Sequence, residues 1–117
     1  MIVDTSALLA VLLDEKEADV FSEVLAKGEW LVSAVSFVEA SIIAESKGGG
    51  KAEISIEPGT EEHALAARQA YSDYGKGRHL AGLDLGDCFS YALAKVSGEP
   101  FLFKGSDFRK TYVKAAS

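Results

Sequence analysis

The pattern of hydrophobic and polar positions predicts alternating strands and helices. Short apolar or alternating runs predict β-strands at 1–3, 30–32, 53–57 and 100–103. Longer segments with apolar residues at helical spacing predict α-helices at about 5–13, 14–27, 33–47, 60–74 and 86–96. Because strands alternate with helices and the strands are short and apolar, we expect an α/β fold with a mainly parallel central sheet and helices on both faces.

Several polar residues stand where helices should begin. Ser33 or Ser36 is expected to cap the helix that runs to about Lys47, and Thr60 is expected to cap the helix that follows Pro58-Gly59. In the segment GKGRHLAGLDLGDCFSYALAK, Asp84 precedes the helix by a short step. We interpret it as a cap or a residue that orders the loop, while a secondary role near a metal stays open.

Length and composition predict one domain spanning residues 1–117. The longest apolar stretch, at 7–13, is too short to cross a bilayer, and the N-terminal run lacks the basic region of a signal peptide. We therefore expect a cytoplasmic protein with no membrane partner. The single cysteine, Cys88, excludes an internal disulfide and a cysteine-based zinc site, and its apolar surroundings predict a buried thiol.

The net charge of −6 is opposite in sign to that of proteins that bind nucleic acid by bulk electrostatics. Either nucleic acid is not a partner, or the acids are concentrated in one site where a divalent cation reverses the local field. Four basic residues in two clusters could contact an RNA backbone beside such a site or could simply be solvated: Lys76, Arg78, Lys104 and Arg109. We expect His79 to be a loop or packing residue rather than a general base.

Three acids follow strand ends or begin a helix beside them. Asp4 ends the first strand, Asp87 opens the helix after GLDLG, and Asp107 follows the last strand in FLFKGSDF. Each has a purely structural interpretation, as a helix cap or as a first-turn acid favoured by the helix dipole. However, ligands of parallel sheets bind at the carboxyl ends of the strands, so these acids could instead converge on one pocket.

A fourth acid, Glu39, lies inside the predicted helix SAVSFVEASIIAE. On a 3.6-residue period it shares a face with Val35, Ile42 and Ile43, and a carboxylate on an apolar face is costly unless paired or bound to a metal. It could also be a surface residue whose phase is misassigned. If all four acids converge, they need a cation, and an all-oxygen ligand set selects Mg²⁺ or Mn²⁺ over zinc. Such an ion can activate water and stabilise charge on a phosphodiester.

Three segments carry a resemblance to a known family: MIVDTSALLAVLLDE, SAVSFVEASIIAE and YGKGRHLAGLDLGDCFSYALAKVSGEPFLFKGSDF. The chain resembles PIN-domain ribonucleases, specifically the VapC toxins of bacterial toxin–antitoxin pairs. The resemblance implies a PIN-like three-layer α/β/α sandwich. It also implies catalytic, metal-binding acids at Asp4, Glu39 and Asp87, with Asp107 as a more variable fourth. It further implies Mg²⁺- or Mn²⁺-dependent cleavage of RNA, a homodimer or toxin–antitoxin hetero-oligomer, and inhibition by a VapB-like antitoxin.

One departure from the family lies between the helix that carries Glu39 and the strand EISIE. Members of the family usually have a further helix there, whereas here only KGGGKA joins the two elements. We therefore expect a domain shortened, or lacking a helix, near residues 47–52. This departure keeps a second function open: a non-catalytic PIN-like module that binds RNA or protein without cutting. The presence of all four acids favours the ribonuclease.

Overall fold

The computed structural model describes residues 1–46, 56–105, 107–110 and 115. The strands are β1 (Ile2–Val3), β2 (Val32–Ser33), β3 (Ile56–Glu57) and β4 (Phe101–Leu102). The α-helices are α1 (Thr5–Leu12), α2 (Ala18–Ala26), α3 (Ala34–Ser46), α4 (Glu61–Tyr74) and α5 (Leu85–Ser97), and a 3-10 turn follows at Phe108–Lys110. The alternation of strands and helices confirms the predicted α/β class.

The strands form a parallel arrangement in which β1 occupies the centre. β1 pairs with β4, β2 pairs with β3, and a parallel bridge between Ile2 and Leu31 joins the two pairs. The resulting order is β3–β2–β1–β4, and every strand pairing within the described part of the chain is parallel, as predicted. Parallel order brings the carboxyl ends of β1 and β4 to the same edge, where Asp4 follows β1.

Side chains cover the sheet on both faces. Ile2 and its register partner Phe101 belong to one buried cluster, which includes Leu83 and Tyr91. Val3 and its partner Leu102 belong to the other cluster, built with residues of α1, α2 and β2. Because successive strand residues point to opposite faces, these two clusters are the two interlayer cores of a three-layer sandwich.

Several boundaries differ from the predictions. The second helix begins at Ala18 rather than at Asp14, because Asp14 adopts a left-handed backbone conformation (φ 52°) that ends the preceding turn. The strand predicted at 30–32 pairs at Val32–Ser33, with Leu31 forming only the bridge. Most of the strand predicted at 53–57 and the KGGGK segment lie outside the described residues. Within the described ranges, no helix is long and apolar enough to cross a membrane.

The capping predictions are confirmed. The Ser33 hydroxyl accepts a hydrogen bond from Ser36 N at 3.0 Å, so Ser33 is the cap of α3. The Thr60 hydroxyl accepts one from His63 N at 3.1 Å at the start of α4. Cys88 is buried in α5, as expected, and burial raises the pKa of its thiol to about 11.

Candidate active site

Asp4 is fixed between β1 and α1. Its backbone N–H donates to Leu102 O at 2.9 Å, which ties it to β4. Its Oδ2 accepts hydrogen bonds from Ser6 N at 3.0 Å and from the Ser6 hydroxyl at 2.7 Å, so Asp4 is the N-cap of α1. The residue is only 3% exposed, and Oδ1 has no hydrogen-bond partner among the described residues. A buried carboxylate oxygen without a partner is a costly arrangement that a bound cation would relieve.

Glu39 lies in α3 and is half-buried against α1 and α5. The Thr5 hydroxyl donates to Glu39 Oε1 at 3.0 Å. A Cβ atom built on Gly86 would lie 2.6 Å from Glu39 Cδ and closer still to the carboxylate oxygens. The absence of a side chain at Gly86 therefore creates the space that this carboxylate occupies.

The apolar face predicted for Glu39 is buried only in part. Val35 and Ile43 are half-buried, as Glu39 is, whereas Ile42 is 62% exposed. Contacts with the neighbouring elements α1 and α5 add to the burial of Glu39. Glu39 is thus a partly buried acid, as expected, and the other elements of the fold contribute to that burial.

Asp84 and Asp87 form a reciprocal cap at the start of α5. Asp84 Oδ1 accepts from Asp87 N at 2.9 Å, and Asp87 Oδ2 accepts from Asp84 N at 3.0 Å. Asp84 is the N-cap and is exposed, whereas Asp87 is half-buried. The structure thus confirms that Asp84 caps the helix, and the reciprocal bond fixes the Asp87 side chain at the sheet edge.

Asp4, Glu39 and Asp87 share one electrostatic environment. Burial is the largest cause that raises the pKa of each, and it brings the pKa of Asp87 to about 7. The Asp4 charge raises the pKa of both Glu39 and Asp87 further, and the Asp84 charge does the same. Asp4 and Asp84 therefore lie close enough to Glu39 and Asp87 to disfavour the charged form of both acids.

The carboxylate oxygens of the site are of the type that binds a hard divalent cation, although they do not converge on one position. In the described ranges, no three Asp, Glu, His or Cys side chains converge on a common metal position. Glu39 and Asp87 instead bind the Thr5 hydroxyl and the Asp84 N–H group, two hydrogen bonds that an ion could replace. Carboxylate oxygens are the ligands that Mg²⁺ and Mn²⁺ prefer. Binding an ion would be most favourable for Asp4 Oδ1, which is buried without a hydrogen-bond partner among the described residues.

The structure places the remaining predicted acid and a nearby lysine beyond β4. Asp107 is exposed in the segment after β4, and its membership of the site stays a prediction. The Lys104 backbone N–H donates to the Ser6 hydroxyl at 3.0 Å, which helps to fix the Asp4 cap. The Lys104 side chain forms ion pairs with Glu15 and, at 3.5 Å, with Glu17. The Lys104 side chain therefore pairs with Glu15 and Glu17 rather than with the acids of the candidate site.

The loop before Asp84 carries exposed basic side chains. Arg78 stacks over the Tyr71 ring at 5.6 Å, and Lys76 is exposed beside it. His79 packs edge-on against Tyr74 with ring centroids 5.1 Å apart, and its Nδ1 accepts from Ala81 N at 3.0 Å. His79 is thus a packing residue, as predicted.

Two features of the site were missed by the sequence reasoning. The first is the close approach of Gly86 to Glu39, and the second is a hydrogen bond of 2.7 Å between the buried hydroxyls of Ser36 and Ser90. For the serine pair, a signal was available in the sequence. The spacing is three residues from Ser36 to Glu39 and from Asp87 to Ser90, which places each serine on the same helix face as an acid.

Comparison with known proteins places the chain in a family. Residues 1–114 match the PIN domain family. The chain is 46% identical to Ribonuclease VapC of Mycolicibacterium smegmatis over 127 aligned positions, covering 98% of each chain. The chain belongs to the VapC ribonuclease family of PIN-domain proteins. It is also 45% identical to Ribonuclease VapC30 of Mycobacterium tuberculosis over 123 positions, covering 95% of this chain and 94% of that protein.

Two solved structures share the fold. Mycobacterium tuberculosis VapC20, described as a sarcin-ricin loop cleaving toxin, superposes with a TM-score of 0.74 at 14% identity, covering 96% of this chain and 95% of that one. A toxin–antitoxin complex from Klebsiella pneumoniae gives a TM-score of 0.71 at 16% identity, covering 92% of this chain and 88% of that one. These similarities confirm the PIN-like fold predicted from the sequence.

The alignment lengths bear on the predicted shortening. The alignment with the Mycolicibacterium smegmatis relative has 127 positions, whereas this chain has 117 residues. That relative therefore contains at least ten residues without a counterpart here, from the difference between the two numbers. The position of the shortening, near residues 47–52, stays a prediction, as does the single domain over 1–117.

Proposed function

We propose that this chain is a divalent-metal-dependent endoribonuclease, the toxin of a VapBC pair, which hydrolyses RNA phosphodiester bonds. The observation that carries the proposal is the buried Asp4 carboxylate with its unpartnered Oδ1, set beside two acids whose pKa values are raised, Glu39 and Asp87. Membership of the VapC ribonuclease family supports the same chemistry.

Asp4, Glu39 and Asp87 would hold Mg²⁺ or Mn²⁺, and Asp107 would complete the site or its water shell. A bound ion of this kind supplies activation of water and stabilisation of phosphodiester charge. The chain's own contribution is orientation. Ser6 occupies Oδ2 of Asp4 and leaves Oδ1 available, while the reciprocal cap fixes Asp87.

Asp87→Asn tests this assignment. Asparagine keeps an oxygen that can accept from Asp84 N, so the helix start should survive while one anionic ligand is lost. We expect the wild type to cleave RNA with Mg²⁺ or Mn²⁺ and to stop in EDTA. We expect the variant to be at least ~100-fold slower, since even outer-shell partners of metal sites cost 10–100-fold. The measurement is single-turnover cleavage of labelled RNA by protein freed of any co-purified antitoxin.

Two results would contradict the proposal. Unchanged cleavage by Asp87→Asn would exclude the catalytic assignment of this acid. RNA binding without cleavage by metal-loaded wild type would instead support the non-catalytic binding module.

The basic loop residues are proposed to contact the RNA backbone. Lys76 and Arg78 are exposed on the loop that leads to Asp84, whereas Lys104 is paired with Glu15 and Glu17. We expect Lys76→Ala and Arg78→Ala each to reduce the slope of log K against log salt by about 0.7, the value for one lost single-strand phosphate contact. Lys104→Ala should leave the slope unchanged.

This slope is measured by fluorescence anisotropy in an Asp87→Asn background with Mg²⁺, so that the RNA stays intact. Equal slopes for all three variants and their parent would show that the phosphate contacts lie elsewhere.

The proposed partners are a VapB-like antitoxin and a second copy of the chain. On α3, Val38 and Ile42 are exposed apolar side chains one helical turn apart, the kind of surface that assemblies cover. The uncompensated acids at the sheet edge would attract a cationic antitoxin side chain. A cytoplasmic location is part of the same proposal, because the RNA substrate is found there.

A further inference from the structure

Two serines with no assigned role link the helices that carry Glu39 and Asp87. Ser36 of α3 and Ser90 of α5 are fully buried, and their hydroxyls are 2.7 Å apart. Ser36 lies one turn before Glu39, and Ser90 lies one turn after Asp87, so each serine shares a helix face with an acid of the site. Their hydrogen bond spans 54 positions of sequence.

Ser36 also contacts α1, the helix that begins directly after Asp4. The Ser36 carbonyl oxygen lies 3.4 Å from the Thr5 hydroxyl, which also donates to Glu39. Contacts from these two serines therefore extend to each of the segments that carry the three acids.

We propose that Ser36 and Ser90 are positioning residues for the divalent cation, a role that rests on the proposed function. Their hydrogen bond sets the spacing of α3 and α5, and therefore the separation of Glu39 and Asp87. The pair thus orients the ligands without touching the RNA or the ion.

A purely structural role makes a different prediction. Removing one hydroxyl leaves the other buried without a partner, which lowers stability, whereas removing both leaves no unsatisfied group, so stability recovers. If the pair merely satisfies its own hydrogen bond, metal affinity should recover together with stability in the double variant. If the pair positions the acids, affinity should stay weak when stability returns.

The experiment compares the full-length wild type with Ser36→Ala, Ser90→Ala and the double variant. Mn²⁺ affinity is measured by titration with EPR detection of the free ion, and the melting temperature is measured in EDTA. We expect Mn²⁺ affinity to fall about 10–100-fold in all three variants, as for other outer-shell partners. We expect the melting temperature to fall in each single variant and to return toward that of the wild type in the double variant.

Ser97→Ala is the matched control, because Ser97 lies at the other end of α5 and its hydroxyl forms local hydrogen bonds: it donates to Ala94 O and accepts from Glu99 N, each at 3.3 Å. It should bind Mn²⁺ like the wild type. Wild-type affinity in the double variant would overturn the positioning role while leaving the proposed function intact, and if the single variants fail to fold, the double variant decides. A wild type that binds no Mn²⁺ would overturn the metal-dependent function and the positioning role together.

Discussion

Asp4→Asn is expected to abolish RNA cleavage and, at neutral to alkaline pH, to stabilise the metal-free protein. Asparagine retains an oxygen for Ser6 N and the Ser6 hydroxyl, so the cap of α1 is preserved. The change removes a buried negative charge that we propose binds the cation. Metal-ion stabilisation is worth several kcal/mol, which corresponds to about a thousandfold in rate.

The stability gain follows from the raised pKa of Asp4. Burial makes the folded protein hold this proton more tightly than the unfolded chain does, so deprotonation opposes folding. The wild type therefore loses stability as pH rises above the unfolded pKa of about 3.9, and the loss is complete above the folded pKa. The asparagine of the variant does not titrate. The stability difference between variant and wild type should thus grow with pH.

The test is thermal unfolding in EDTA at pH 5 and pH 8, together with single-turnover cleavage in Mn²⁺. Asp19→Asn is a suitable control, since Asp19 is an exposed acid of α2 away from the site. Cleavage at the wild-type rate would show that Asp4 is a structural cap alone. Lower stability than the wild type in EDTA at pH 8 would contradict the gain expected from removing the buried charge.

Gly86→Ala is expected to disable the site with little change in stability. The added Cβ would occupy the position of the Glu39 carboxylate, 2.6 Å from its Cδ. Because the clashing atoms are the end of a flexible side chain, Glu39 should rotate away while α3 and α5 keep their places. Alanine is also the better helix former by about 1 kcal/mol, which offsets part of the cost of displacing Glu39.

We expect cleavage and Mn²⁺ affinity to fall about 100-fold in Gly86→Ala, while the free energy of unfolding in EDTA stays within about 1 kcal/mol of the wild-type value. The matched control is Gly28→Ala, because a Cβ atom there meets nothing within 4 Å among the described residues. Wild-type affinity in Gly86→Ala would mean that Glu39 does not need its present position to serve as a ligand.

The sequence by itself determined the α/β class, the order of the elements and most helix starts. These features depend on local physics: hydrophobic periodicity selects helix or strand, and caps such as Ser33, Thr60 and Asp84 satisfy N–H groups two or three residues away. Asp4 was equally accessible to sequence reasoning, because a strand that ends in an acid places that acid at the ligand-binding edge of a parallel sheet. The same rule made Asp87 and Asp107 candidates, helix periodicity made Glu39 one, and the family resemblance favoured a site role for all four acids.

Only the tertiary structure decided how the acids are held. Glu39 accepts a hydrogen bond from Thr5 and occupies the space left beside Gly86, and these residues lie 34 and 47 positions away in the chain. The Ser36–Ser90 hydrogen bond and the ion pair between Lys104 and Glu15 likewise join residues from distant parts of the sequence. Periodicity and spacing report only neighbours within a few residues, whereas these contacts exist because parallel strands bring separate helices together at one edge of the sheet.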